Sequence, residues 1–237
     1  MIFEVRIGMA EEVILPQQGQ LQADALLHAA AARLRFPDAA RRDLSVWEEI
    51  RLPVRYFGDC PAISSLFPRG TSLANKVFMY KRTSAFEVDN SLNPHNLSAS
   101  GHMRSHAVPL FPYRVPEFAF WAEVEDRAAF LTLLTSIRDN WFDLRIGQHT
   151  RRGYGRIASV NAKRSERLSA VLDEDGQPLR PLPERLGLVK NPDPQKTIRA
   201  LAVARPPYFA YPAEICWIPA PHLLRPNINT EKSGGSQ

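Results

Sequence analysis

The sequence predicts an α+β fold of order βαββαβ, and three observations lead there. Short segments alternate apolar and polar residues with the period of a strand, as in "IFEVRIG" at 2–8. Two longer segments, "LQADALLHAAAARLRF" and "RAAFLTLLTSIRDNW", repeat apolar residues at helical spacing. A stretch rich in glycine and arginine, "RIGQHTRRGYGRI", separates the second helix from a β-branched run.

In the first strand Phe3, Val5 and Ile7 share one face, Glu4 and Arg6 the other. After Pro16, the residues Leu21, Ala25, Leu26, His28, Ala29 and Ala32 recur near helical spacing. Alanine favours this helix and Pro37 marks its stop. "SVWEEIRLPVRYF" is expected to be extended, with Pro53 pointing to an edge or a bulge. Residues from about 58 to 116 read as an insertion that contributes little to a core. It holds one strand, "KVFMYKRTSAFEV", and a polar loop, "DNSLNPHNLSASGHMRSH". "EFAFWAEV" is a strand, and Asp126 is placed to cap the next helix, whose Phe130, Leu133, Leu134 and Ile137 form an apolar face. "RIASVNA" is the next strand.

Taken together this is the ferredoxin-like, or RNA-recognition-motif, arrangement, expected over residues 1–165 with its insertion. A small β-rich extension is expected at 166–224. Within it residues 173–196 read as a polar, proline-rich connection or peripheral hairpin, and "IRALAVA" and "AEICWIPA" as two strands. Residues 225–237 are polar and expected to form a flexible tail.

At 237 residues and 44% apolar, the chain can bury a real core. Its formal charge of +5 is a moderate basic excess whose grouping matters more than its size. Cys60 and Cys216 form no CxxC pair, so a zinc knuckle is disfavoured and two buried, reduced thiols are expected. The first residues lack the basic start and apolar block of a signal peptide, and no apolar run approaches the roughly 20 residues of a membrane span. A soluble, cytoplasmic protein with no membrane partner is expected.

The glycine-rich loop carries the densest chemistry. Gly147, Gly153 and Gly155 permit positive φ and close approach of the main chain, and successive amides in such turns can form a nest for anions. Arg145, Arg151, Arg152 and Arg156 supply guanidinium forks suited to phosphate oxygens. Lys163, Arg164 and Arg167 extend the run, and Glu166 is the lone acid between Arg145 and Arg167. A plain alternative is a tight turn with arginines on a solvated rim. A coenzyme-A cradle fits less well: Thr150 stands three before Gly153, and the residues after Gly155 are β-branched where that cradle opens a helix. A P-loop is absent, since no Lys-Ser/Thr pair follows the glycines.

The same residues, "IGQHTRRGYGRI", resemble the I-G-x-x-x-x-x-G-x-G-x-hydrophobic signature of the RAMP superfamily, the RNA-binding subunits of CRISPR effector complexes. The helix "LQADALLHAAAA", the mid-chain "YKR" strand and the late "RPPYF…ICWIP" segment are similar to the type IV subunit that holds the 5′ handle of the guide RNA. The resemblance implies a structural subunit that grips the crRNA 5′ handle and caps the complex, not a free-standing enzyme. It also implies a large subunit and a backbone-filament subunit as partners, with target DNA a further candidate, and no cofactor, metal or catalytic residue. The expected RNA contacts are Arg145, Gly147, His149, Arg151, Arg152, Gly153, Tyr154, Gly155 and Arg156, with Lys81 and Arg82 as a second contact. No aromatic pair of the RNP type stands in the first or third strand, so backbone and handle-shape recognition should dominate. Phe78, Tyr80 and Tyr154 are the aromatics best able to stack on bases.

Some RAMP relatives are metal-independent endoribonucleases that mature the guide, and this is the main alternative. Cleavage needs a base, an acid and a cation near the phosphorane. His28, Tyr80, Lys81, His102, His106 and His149 are candidates by residue type, although His28 among alanines reads first as a core histidine. His95, His102 and His106 lack zinc spacing, and Asp24, Asp38, Asp43 and Asp89 are scattered, unlike a two-metal nuclease. An acyl-CoA-dependent transferase is the remote third class.

Overall fold

The computed structural model describes residues 1–16, 20–37, 47–74, 77–81, 106–139, 141, 143–208, 210–224 and 227–228. Four strands make the main sheet: β1 (Ile2–Met9), β2 (Phe67–Arg69), β3 (Glu117–Glu123) and β4 (Ile157–Arg164). Their order is β4-β1-β3-β2 and every neighbouring pair is antiparallel. Helix α1 (Ala23–Arg35) lies between β1 and β2 in sequence, and α2 (Arg127–Arg138) between β3 and β4. The fold is mixed α+β with mostly antiparallel sheets, and this strand order is compatible with a ferredoxin-like arrangement.

Alternation along β1 puts Phe3, Val5 and Ile7 on the helix side, where they share a core with Leu26, Leu27, Phe130, Leu133, Leu134 and Ile137. Asp126 caps α2 as its sequence position demands, its carboxylate accepting from the Ala129 amide at 3.0 Å. The opposite face of the sheet is polar. The register sets Glu4 beside Lys163 and Trp121. Glu4 lies 2.9 Å from Arg6 and 3.1 Å from Lys163, and Arg6 lies 3.7 Å from Glu117. Burial works against the charge on Glu4, yet these two cations hold its carboxyl below the usual range. Trp121 on this face is clamped by the guanidinium groups of Arg167 and Arg69, at 4.4 and 5.5 Å from its ring.

Two sequence readings are corrected. The segment 47–57 is not a continuous strand: Trp47 and Glu48 are helical, and only Tyr56–Phe57 pairs, with Cys60–Pro61. Pro53 has no amide to give a ladder, and the Leu52 amide donates to the Tyr56 hydroxyl at 2.9 Å instead of to a strand. Nor is the chain after residue 58 peripheral. Cys60, Ala62, Ile63, Ser64, Ser65 and Leu66 are buried, Ile63 bridges Ala122, and Phe67–Arg69 becomes the edge strand. Pro68 is tolerated there because an edge strand has one ladder fewer to fill.

The C-terminal strands β5 (Leu182–Pro183), β6 (Thr197–Ala202) and β7 (Glu214–Pro219) form a second sheet of order β5-β7-β6, so both expected late strands are present. Its core joins Val171, Leu182, Val189, Ala204 and Cys216 to Cys60 and Ala62. Both cysteines are free and buried, and burial pushes the Cys216 thiol up to about 12. The segment 173–196, expected at the periphery, contributes a fully buried arginine, Arg180. Its guanidinium donates to the carbonyls of Pro61 (2.7 Å), Ile63 (3.1 Å) and Ala204, and lies 2.9 Å from the buried carboxylate of Asp24 on α1. Asn227–Ile228, expected within the flexible tail, pairs parallel with Thr71–Ala74, which in turn pairs with Pro112–Arg114. That strand pairs with Val13–Ile14, the segment against which the glycine-rich loop rests. Val77–Lys81 and His106–Leu110 form a separate antiparallel hairpin. Among the described residues no helix is long and apolar enough to cross a membrane.

Candidate nucleic-acid interface

The loop between α2 and β4 is itself a hairpin. Arg145 and Arg156 face each other across an antiparallel bridge, and the Ile146 amide donates to the Gly155 carbonyl at 2.9 Å. Its tip is a single 3-10 turn, Thr150–Arg152, flanked by two left-handed residues, His149 at φ 54° and Gly153 at φ 97°. Two further bonds fasten the hairpin to the chain at residues 12–14. The Gln148 amide donates to the Ile14 carbonyl and the Gly155 amide to the Glu12 carbonyl, each at 2.8 Å.

Two of the three glycines are explained by these approaches. At Gly155 a Cβ would lie 1.8 Å from the Ile146 carbonyl oxygen, and at Gly147 one would lie 2.6 Å from the Ile14 carbonyl oxygen. Gly153 meets nothing within 4 Å; its positive φ alone accounts for it. The expected amide nest is therefore corrected. The amides of Ile146, Gln148, Arg152, Gly153 and Gly155 all donate to main-chain carbonyls and are committed to the hairpin itself.

Anion recognition falls to side chains, and these divide. Arg145 is structural: its Nε donates to Asp143 at 3.1 Å and its Nη1 to the Gly153 carbonyl at 3.0 Å. Arg151, Arg152 and Arg156 are exposed and, among the described residues, have no ion-pair or hydrogen-bond partner. Tyr154 and His149 are half-buried beside them. The downstream basic residues do not all join this patch, because Lys163 is paired with Glu4 and Arg167 covers Trp121. Lys81 ends the strand Val77–Lys81, and Arg82, His95 and His102 lie outside the described residues.

His28 is buried at 3% exposure with its ring stacked on Trp47, centroids 5.4 Å apart. Desolvation lowers its pKa against the pull of Asp24, which keeps the imidazole neutral, and its Nδ1 has no hydrogen-bond partner among the described residues. A group so enclosed does not reach a ribose 2′-hydroxyl, so it is a core histidine and not a base for RNA cleavage. Among the described residues no group of three or more His, Cys, Asp or Glu is arranged to hold a metal ion.

Beside the hairpin runs a groove that motif reading does not reveal. Two cavities, of about 300 and 580 Å³, share Gln20, Gln22 and Tyr208 as walls. The smaller is closed by Leu144–Gly147 of the hairpin and by α1; the larger reaches Gln148 and the β6 residues Leu201 and Ala202. Tyr208 is held from behind. Its hydroxyl donates to Asp24 at 2.6 Å and accepts from Arg180 at 3.3 Å, and burial together with the Asp24 charge pushes its pKa well above the usual phenol value. One sequence signal points here: Asp24 is a carboxylate on the buried face of an alanine-rich helix, and such a charge needs a cationic partner. Compared with protein-family models and with curated proteins, the chain matches none.

Proposed function

We propose that this protein is an RNA-binding structural subunit of a type IV CRISPR ribonucleoprotein, gripping the 5′ handle of the crRNA and capping the complex. The observation that carries the RNA-binding reading is the trio Arg151, Arg152 and Arg156. They are exposed and without partners among the described residues, and they project from a hairpin whose backbone is fixed by its own hydrogen bonds. Fixed guanidinium groups lose little freedom on meeting phosphates, and each phosphate neutralised releases counterions. The strand order, compatible with a ferredoxin-like RAMP domain, and the similarity of "IGQHTRRGYGRI" to the RAMP signature support the narrower assignment. The expected partners are the crRNA, a large subunit and a backbone-filament subunit.

The test is binding of repeat-derived 5′-handle RNA across a salt series. The double variant Arg151→Ala/Arg152→Ala should bind more weakly, with its log–log salt slope shallower by about 1.4, roughly 0.7 for each single-strand phosphate that is no longer neutralised. An unchanged slope contradicts the assignment of these arginines to the backbone.

A further inference from the structure

We infer that the groove between the hairpin, α1 and Tyr208 seats one unstacked nucleobase of the bound RNA strand. This rests on the RNA-binding reading above and adds a base-reading element to a surface otherwise built for phosphate.

The chemistry of the walls selects the ligand. Three carboxamides, Gln20, Gln22 and Gln148, line the groove. Each offers paired donors and an acceptor, the pattern that complements a nucleobase edge. The Gln22 carbonyl oxygen is engaged by Ser65 at 3.2 Å, and its amide lies 3.5 Å from Gln20, at the limit of a hydrogen bond. The Gln148 side-chain amide has no partner among the described residues, and Gln148 is exposed. Ala29 and Leu66 give the smaller cavity an apolar wall. Among the described lining residues Arg145 is the lone charge and no carboxylate faces either cavity, which disfavours a cation and favours a neutral base on an anionic chain.

Tyr208 supplies the flat surface. A tyrosine whose hydroxyl is locked between a buried carboxylate and a buried guanidinium is already ordered before ligand arrives, so little freedom is lost when a base meets it. Position completes the case. Arg145, Gly147 and Gln148 line the groove, and the same hairpin carries Arg151 and Arg152 at its tip and Arg156 on its return limb. A strand held by its phosphates there has the groove beside it to receive a base.

The experiment uses the full chain and a set of single-stranded handle RNAs, identical except for one abasic nucleotide moved along the sequence. The expected result is one position, or two adjacent ones, at which losing the base weakens binding by about tenfold, within the range for one stacked base. In Gln20→Ala/Gln148→Ala, intact RNA should bind more weakly, the abasic position should no longer matter, and the salt slope should stay that of the unmodified protein. If intact RNA binds with its normal salt slope while no abasic position changes affinity by as much as about twofold, the groove takes no base and the phosphate reading stands alone. Failure of every RNA to bind overturns both. Because the readout is on the RNA side, it does not depend on any variant folding.

Discussion

Gly155 has no room for a methyl group, whereas Gly153 has nothing but space around it. Both adopt positive φ, and by sequence alone they share one role, approach to an anion. The structure separates them. Gly155 lets two limbs of the hairpin close, with the Ile146 carbonyl where its side chain would be, and Gly153 turns the tip. Gly155→Ala combines backbone strain with a clash against main chain and should cost roughly 3 kcal/mol or more; Gly153→Ala should cost about 1 kcal/mol, the left-handed penalty alone. Urea denaturation of the two variants measures this directly, and equal costs would contradict the hairpin geometry. The arginines show the same limit of residue-level reading. Charge and spacing identify Arg145, Arg151, Arg152 and Arg156 equally, but only the fold reveals that Arg145 is spent on Asp143 and the Gly153 carbonyl.

Elements with a strong period are legible in the sequence, and those without are not. β1, β3, β4 and both long helices follow from alternation or helical spacing, because one face of each must be apolar to reach the shared core. β2 escapes because it is three residues long with a proline at its centre. The 47–57 segment misleads because its mixed pattern resembles a strand, while Pro53 and the Tyr56 hydroxyl redirect its backbone bonds. Arg180 is invisible for a different reason: its partners come from α1, from 61–63 and from 204–208, far apart in sequence, and nothing local marks an arginine for burial. Its desolvation is offset by at least one ion pair and several carbonyls, which fasten the C-terminal sheet to the first helix. Truncating it leaves the Asp24 carboxylate buried without its cation, so Arg180→Ala should destabilise by about 3–5 kcal/mol. Asp24→Leu/Arg180→Met should recover a large part of that loss, because both charges leave together. Losses that simply add in the double variant would show that the two groups are not coupled.

On the scale of the whole molecule, the two broad faces of the main sheet have different fates. One is core. On the other, Glu4, Arg6, Lys163 and Glu117 neutralise each other, and Trp121 is covered by Arg69 and Arg167. A strand of RNA laid across that face would have to break ion pairs and meet two carboxylates. The unpaired positive charge lies instead on the hairpin between α2 and β4, beside the glutamine-lined groove. The net charge of +5 does not tell these surfaces apart, since it sums paired and unpaired groups alike. Photo-cross-linking of bound handle RNA followed by peptide mapping tests this placement most directly. Cross-links are predicted on the hairpin peptide that contains Tyr154 and on the peptide that contains Tyr208. Cross-links confined to the outer sheet face around Arg6, Trp121 and Lys163, with none on the hairpin, would contradict it.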